Sequence, residues 1–136
     1  MENRNFAKGY CSKIFRICLL VSMAYFFTTS TCLAETAIIP GYSGSGVWSV
    51  ADLSSAVFQP SSPSDTIVAV CVKEESRSGE KSDKGIWYFW KTSNGNIYVK
   101  TNGSNSYDEY FGPNESFLGG IKQDFFRELA FAAKNN

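Results

Sequence analysis

The strongest constraint on the fold comes from residues 85–101, GIWYFWKTSNGNIYVKT, where two runs of aromatic and β-branched residues flank Asn94-Gly95. Such runs favour β-strands. Asn-Gly suits the type I′ turn of a two-residue hairpin loop, because both of its central residues need a positive φ. The pattern therefore predicts an antiparallel hairpin with Asn94-Gly95 at its tip, in which Trp90 lies opposite Val99.

This register sorts the side chains of the hairpin onto two faces, because neighbouring residues of a strand point to opposite sides. The face expected to join the core carries Ile86, Tyr88, Trp90, Ile97 and Val99. The face expected to remain available for binding carries Trp87, Phe89, Tyr98, Lys91 and Lys100. Aromatic and cationic side chains are those that interfaces favour, so the second face is the candidate partner-binding surface. The alternative is that another part of the chain, or a second subunit, covers it as ordinary core.

Three further elements complete the expected fold. A short helix is predicted over Val50–Phe58, with Ser49 as its N-cap. The β-branched run Thr66–Lys73 predicts a strand, and the apolar stripe that begins at Ile121 predicts a longer helix after Gly119-Gly120. The expected fold class is α+β: a two-layer sandwich of a three-stranded antiparallel sheet with the short N-terminal helix and the longer C-terminal helix packed on one face.

The N-terminal segment, residues 1–34, has the composition of an export signal. Basic residues precede an apolar stretch over Ile17–Phe27, and small residues end at Ala34. Cleavage there is the favoured interpretation, and an uncleaved anchor is the alternative. The expected organisation is a signal at 1–34, an extended arm at 35–47 and a single α+β domain at 48–136, located in the periplasm or outside the cell.

The charge balance argues against nucleic acid as a partner. The chain has 13 basic and 13 acidic residues, of which four basic and one acidic lie in residues 1–34, leaving 9 and 12 in the remainder. A domain with a net charge of −3 lacks the basic footprint of a nucleic-acid or anionic-membrane binder. No membrane span is expected once the signal is removed.

The residue types also restrict the chemistry. The chain contains no histidine, which excludes histidine-based triads and histidine metal ligands. Three of the four cysteines lie in the expected signal, so only Cys71 remains, in a strand where a small buried residue is the favoured interpretation and an intermolecular disulfide the alternative. No metal site, cofactor or catalytic residue is therefore predicted.

These observations favour a small exported, non-catalytic binding protein whose aromatic and lysine-bearing sheet face contacts a partner protein or a glycan. A homo-oligomer through the same face would also cover the aromatic rings. The competing hypothesis is a small exported hydrolase that uses carboxylates, with Asp108 or Glu109 as acid or base.

Overall fold

The computed structural model describes residues 35–112, 115 and 118–136; the expected export signal lies outside these residues. Six strands follow one another in a single antiparallel sheet, in the same order in space as in the chain, and one helix follows the last strand. The sheet is curled into a half-barrel. The strands are β1 Thr36–Gly44, β2 Val47–Gln59, β3 Thr66–Ser76, β4 Lys81–Lys91, β5 Ile97–Lys100 and β6 Asp108–Phe111, and helix α1 is Gly119–Asn135.

The predicted three-stranded sheet with two helices is wrong, and the main error lies in β2. The segment expected to be a helix is a strand of 13 residues. Asp52 pairs with Cys71 and Val57 pairs with Ala69, so β2 advances five residues between these two pairs while β3 advances two. The register between the strands therefore shifts in this stretch. Ser55 holds this irregular stretch, since its hydroxyl donates to the Asp52 carbonyl at 2.6 Å and accepts from the Cys71 N–H at 2.8 Å.

The bulge in β2 explains why the apolar residues of Val50–Phe58 follow a spacing that also fits a helix. A regular strand returns to the same face every two residues, but a bulge inserts extra residues and changes that spacing. Leu53 and Ala56 are both buried although they stand three residues apart. A three-residue step between apolar positions is what helical periodicity also produces, so local pattern alone does not separate the two.

The charged segment between Lys73 and Gly85 forms the end of a β-hairpin. Strands β3 and β4 continue through it to a tight turn, in which the Ser76 N–H donates to the Glu80 carbonyl at 2.9 Å. Glu75 and Lys81 are register partners, and their side chains form an ion pair at 2.7 Å. The alternating charges are therefore cross-strand pairs on a hairpin.

The C-terminal helix is confirmed, and it packs against one face of the sheet. Phe125, Phe126, Leu129 and Ala132 are buried against the strands. The Phe125 ring meets the Phe89 ring of β4 edge to face, with their centres 5.4 Å apart. The inner face of the sheet is thus defined as the side that carries Phe89 and faces α1.

The segment expected to be an extended arm contributes the edge strand β1. Its residues pair with β2, from Thr36 opposite Asp52 to Gly44 opposite Val47, with an irregularity between Ile38 and Ser43. The two-residue turn that follows contains Ser45 and Gly46, both with positive φ. Within the described part of the chain, no helix combines the length and apolar character needed to cross a bilayer.

Candidate functional site

The loop between β4 and β5 decides which side chains share a face. Thr92 donates its N–H to the Asn96 carbonyl, and Gly95 donates its N–H to the Thr92 carbonyl, both at 2.9 Å. Gly95 has φ +86°, whereas Asn94 is not among the residues with positive φ. The loop is therefore a three-residue one, a tight turn followed by a left-handed glycine, and not the predicted type I′ turn.

The extra loop residue shifts the register by one position. Phe89 lies opposite Val99, and Trp90 lies opposite Tyr98, where the two-residue turn would place Trp90 opposite Val99. A one-residue slip moves every side chain of one strand to the other face relative to its partner. The predicted register is wrong for this reason, and both predicted faces of the hairpin are divided.

The five predicted site residues do not lie together. Phe89 is fully buried and Trp87 is 6% exposed, both on the inner face. Lys91 is on the same side, with its ammonium nitrogen 5.7 Å from the centre of the Phe126 ring. Tyr98 and Lys100, in contrast, are half-buried on the opposite side of the sheet.

An aromatic cluster does occupy that opposite side, and two of its five members, Tyr88 and Trp90, are residues that the predicted register assigned to the core. We call it the outer aromatic surface. The Trp90 ring centre lies 5.2 Å from that of Tyr98 and 5.4 Å from that of Tyr107. The Lys100 ammonium nitrogen lies 6.0 Å from the centre of the Tyr88 ring. The surface consists of Tyr88, Trp90, Tyr98, Tyr107 and Lys100, all half-buried.

Asp65, just before β3, fixes the orientation of the central ring. Its carboxylate accepts a hydrogen bond from the Trp90 indole N–H at 3.0 Å and another from the backbone N–H of Ser93 at 3.1 Å. The indole hydrogen bond is the main cause that lowers the pKa of Asp65 below its ordinary value. One ionised side chain thus ties the β2–β3 connection to both the ring and the turn of the next hairpin.

Aliphatic side chains border the outer aromatic surface. Ile67 pairs with Trp90, and Ala69 pairs with both Tyr88 and Val57 across the sheet. Val57 is 47% exposed, and Ile86, two residues before Tyr88 on the same face, is 46% exposed. Large apolar groups exposed side by side with aromatic rings are typical of interaction sites.

One feature of the sequence would have located part of this surface. Ser93-Asn94-Gly95 also fits a three-residue loop with glycine in the left-handed position, which restores the observed register. Tyr107 lies in an irregular segment before β6, and no local pattern links it to Trp90. Its contact depends on the fold.

The carboxylates named for a hydrolase, Asp108 and Glu109, are consecutive and exposed in β6. Consecutive side chains of a strand leave opposite faces, so these two do not converge on one substrate atom. In the part of the chain that the structure describes, no three acidic or cysteine side chains are grouped to hold a metal ion.

Among the described residues, Lys122 is the one buried cation, and neighbouring groups on other elements contact its ammonium group. Its ammonium group donates to the Tyr110 carbonyl at 2.8 Å and to the Glu115 carboxylate at 2.7 Å, and lies 5.0 Å from the Tyr110 ring centre. Burial is the main cause that raises the pKa of Tyr110, whose hydroxyl donates to the Pro40 carbonyl. This cluster joins α1, β6 and β1, which is a structural role.

Comparison with models of known protein families, with curated proteins and with solved structures gave no match for this chain.

Proposed function

We propose that this protein is an exported, non-catalytic binding domain that contacts a partner protein through the outer aromatic surface, in the periplasm or outside the cell. The observation that carries the proposal is the cluster around Trp90, in which four aromatic rings and a lysine lie on the face opposite the helix. Tryptophan and tyrosine dominate the energetics of protein interfaces because they combine a large apolar area with a polar group.

A protein partner fits this surface better than a glycan. Sugars stack on aromatic rings but need polar groups that converge on their hydroxyls. Here the carboxylate bonded to the central ring, that of Asp65, already accepts from Trp90 and Ser93. The border is aliphatic, with Val57 and Ile86 each about half exposed. Such a border complements an apolar protein surface, and Lys100 suits a carboxylate at its edge.

The domain organisation supports the same role. The sheet is antiparallel, and such sheets commonly bury one face and leave the other free. The inner face holds the core with α1, so substitutions on the outer face can remove binding without removing stability. The net charge of −3 for residues 35–136 again favours a protein partner over a polyanion.

Affinity capture from the compartment in which the protein resides tests the proposal. The bait proteins are the wild type, a variant with Tyr88→Ala and Tyr98→Ala, and a control with Ile121→Ala. Ile121 is 55% exposed on α1, away from the outer aromatic surface. Support requires a partner that the wild type and the control recover and the double variant loses, followed by direct binding of the purified pair with the same ranking.

Three results would overturn the proposal. One is equal recovery by the double variant when its circular dichroism and unfolding midpoint match those of the wild type. Another is binding to an immobilised glycan array that the double variant alone loses, which would make the ligand a saccharide. The third is a wild-type dimer in sedimentation that the double variant converts to a monomer, which would make the occupant a second copy of the chain.

A further inference from the structure

A second surface feature lies on the other side of the molecule, where α1 meets the ends of β3 and β4. It is a groove of about 610 Å³ that is open to solvent along its length. Serine and threonine residues from the two strands and their flanking segments contribute hydroxyl groups to its lining. Its aromatic and cationic lining residues are Phe58, Phe126, Phe131, Lys91, Arg127 and Lys134.

The charge of this groove is opposite to that of the domain. Residues 35–136 carry nine basic and twelve acidic side chains, yet the groove is lined by three basic residues and no acidic one. Neither Lys91 nor Lys134 takes part in an ion pair among the described residues, and Arg127 pairs only with the exposed Asp124 at 2.6 Å. The adjacent Asp65 is already engaged by Trp90 and Ser93.

The apolar side chains of the groove are placed to receive a hydrophobic group. Phe126 is 3% exposed, whereas Phe58 and Phe131 are 48% and 54% exposed. The Lys91 ammonium nitrogen lies 5.7 Å from the Phe126 ring centre, so cationic and aromatic groups alternate over a short distance. A ligand that fits must combine negative charge with an apolar side group.

From this arrangement we infer that the groove binds an acidic peptide segment that carries an aromatic or large aliphatic anchor. The anchor packs between Phe58 and Phe131, and flanking carboxylates contact Lys91, Arg127 and Lys134. An extended peptide suits an open groove because its backbone stays solvated or bonds to the hydroxyl groups, whereas an acyl chain in the same place would remain in contact with water. This site is separate from the outer aromatic surface.

The test measures fluorescence anisotropy of a fluorescein-labelled peptide of glutamate and serine with one central phenylalanine. A second peptide has glutamine in place of every glutamate. Both are titrated with the full chain at low and at physiological salt. We expect the acidic peptide to bind, the neutral one to bind at least about tenfold more weakly, and the difference to shrink as salt rises.

Two matched pairs of variants locate the site. The groove variant combines Lys91→Gln, Arg127→Gln and Lys134→Gln, and its control combines Lys73→Gln, Lys81→Gln and Lys84→Gln, which lie outside the groove and change the net charge equally. At about 0.2–1 kcal/mol for each exposed contact, the groove variant should weaken binding by roughly 3- to 150-fold. The control should change it less than twofold. Phe131→Ser should weaken binding, and Ile121→Ser, at an equally exposed helical position, should not.

The inference is overturned by equal losses in the two charge variants, which would mean unspecific attraction, by absence of binding to the acidic peptide, or by unchanged binding to Phe131→Ser. It is also overturned if vesicles of phosphatidylglycerol bind the wild type and displace the peptide, because the ligand would then be a lipid surface. The Tyr88→Ala and Tyr98→Ala variant should retain peptide binding, so that failure of this site and failure of the proposed function are distinguishable.

Discussion

Replacement of Phe89 by alanine is the sharpest test of the strand register. Phe89 is fully buried, and its ring meets those of Tyr110 and Phe125 edge to face, with centres 5.5 Å and 5.4 Å apart. Removing a fully buried phenylalanine costs about 3–5 kcal/mol through lost burial and the cavity left behind. The lost aromatic pairs, worth about 0.5–1.5 kcal/mol each, place the value toward the upper end.

This cost is large compared with the stability of a domain of this size. The free energy of unfolding of natural domains is about 5–15 kcal/mol, so Phe89→Ala should remove at least about a fifth of it. In urea, with a slope of about 1.5 kcal/mol per molar, the midpoint should fall by about 2–3 M. Equilibrium unfolding followed by circular dichroism and tryptophan fluorescence measures the shift.

Two alanine variants serve as controls for the same experiment. Phe131→Ala makes the same chemical change at a residue that is 54% exposed, and it should cost less than about 1 kcal/mol. Tyr98→Ala, on the outer face, should also cost clearly less than Phe89→Ala. A two-residue turn at Asn94-Gly95 would place Phe89 and Tyr98 on one face. Equal losses for Phe89→Ala and Tyr98→Ala, or a loss below 1 kcal/mol for Phe89→Ala, would therefore refute the register.

Three other predictions concern stability, each measured by chemical or thermal unfolding. Gly95→Ala should lower the free energy of unfolding by about 1 kcal/mol, because φ is +86° at this position. Its control is Gly120→Ala in the first turn of α1, where an added methyl group meets nothing within 4 Å, and this change should be neutral or stabilising by about 0.5 kcal/mol. Losses of equal size would contradict the loop assignment. Lys122→Met keeps the apolar stem but loses two charge-assisted hydrogen bonds, so it should cost about 1.5–3 kcal/mol, whereas an unchanged midpoint would contradict a structural role for this lysine. The pKa of Asp65 is lowered in the fold because the indole N–H of Trp90 stabilises the ionised carboxylate. The stabilisation is therefore present above the unfolded-state pKa of about 3.9 and is lost as the pH falls through the lower folded value. Asp65→Asn should flatten the acid side of the plot of stability against pH, and a profile identical to that of the wild type would contradict the indole contact.

The local sequence was sufficient for the elements whose signals are short-range. The stripe of Phe125, Leu129 and Ala132 returns every three or four residues, and it forms the buried side of α1. The runs on either side of Asn94-Gly95 form strands β4 and β5. The aromatic composition of the hairpin also indicated that one of its faces would carry a ring cluster.

Local pattern was not sufficient where extra residues enter a strand pair. In β2, the irregular stretch between Asp52 and Val57 is stabilised by Ser55, whose partner Cys71 lies on another strand. In the β4–β5 loop, Asn-Gly is compatible with loops of two or three residues, and only the three-residue loop places the buried Val99 on the same face as Phe89. The choice is therefore made by packing against α1.

By itself, the sequence determined a hairpin, a C-terminal amphipathic helix and a concentration of aromatic side chains. The tertiary structure decided which of those rings became core and which remained accessible, placing Phe89 inside and Trp90 outside. The physical reason is that strand side chains alternate between faces, so the packing of α1 on the Phe89 side leaves Trp90 on the other side, and the additional loop residue places Val99 rather than Tyr98 on the face of Phe89. The free energy that selects the loop comes from contacts between residues far apart in the chain, which no local pattern contains.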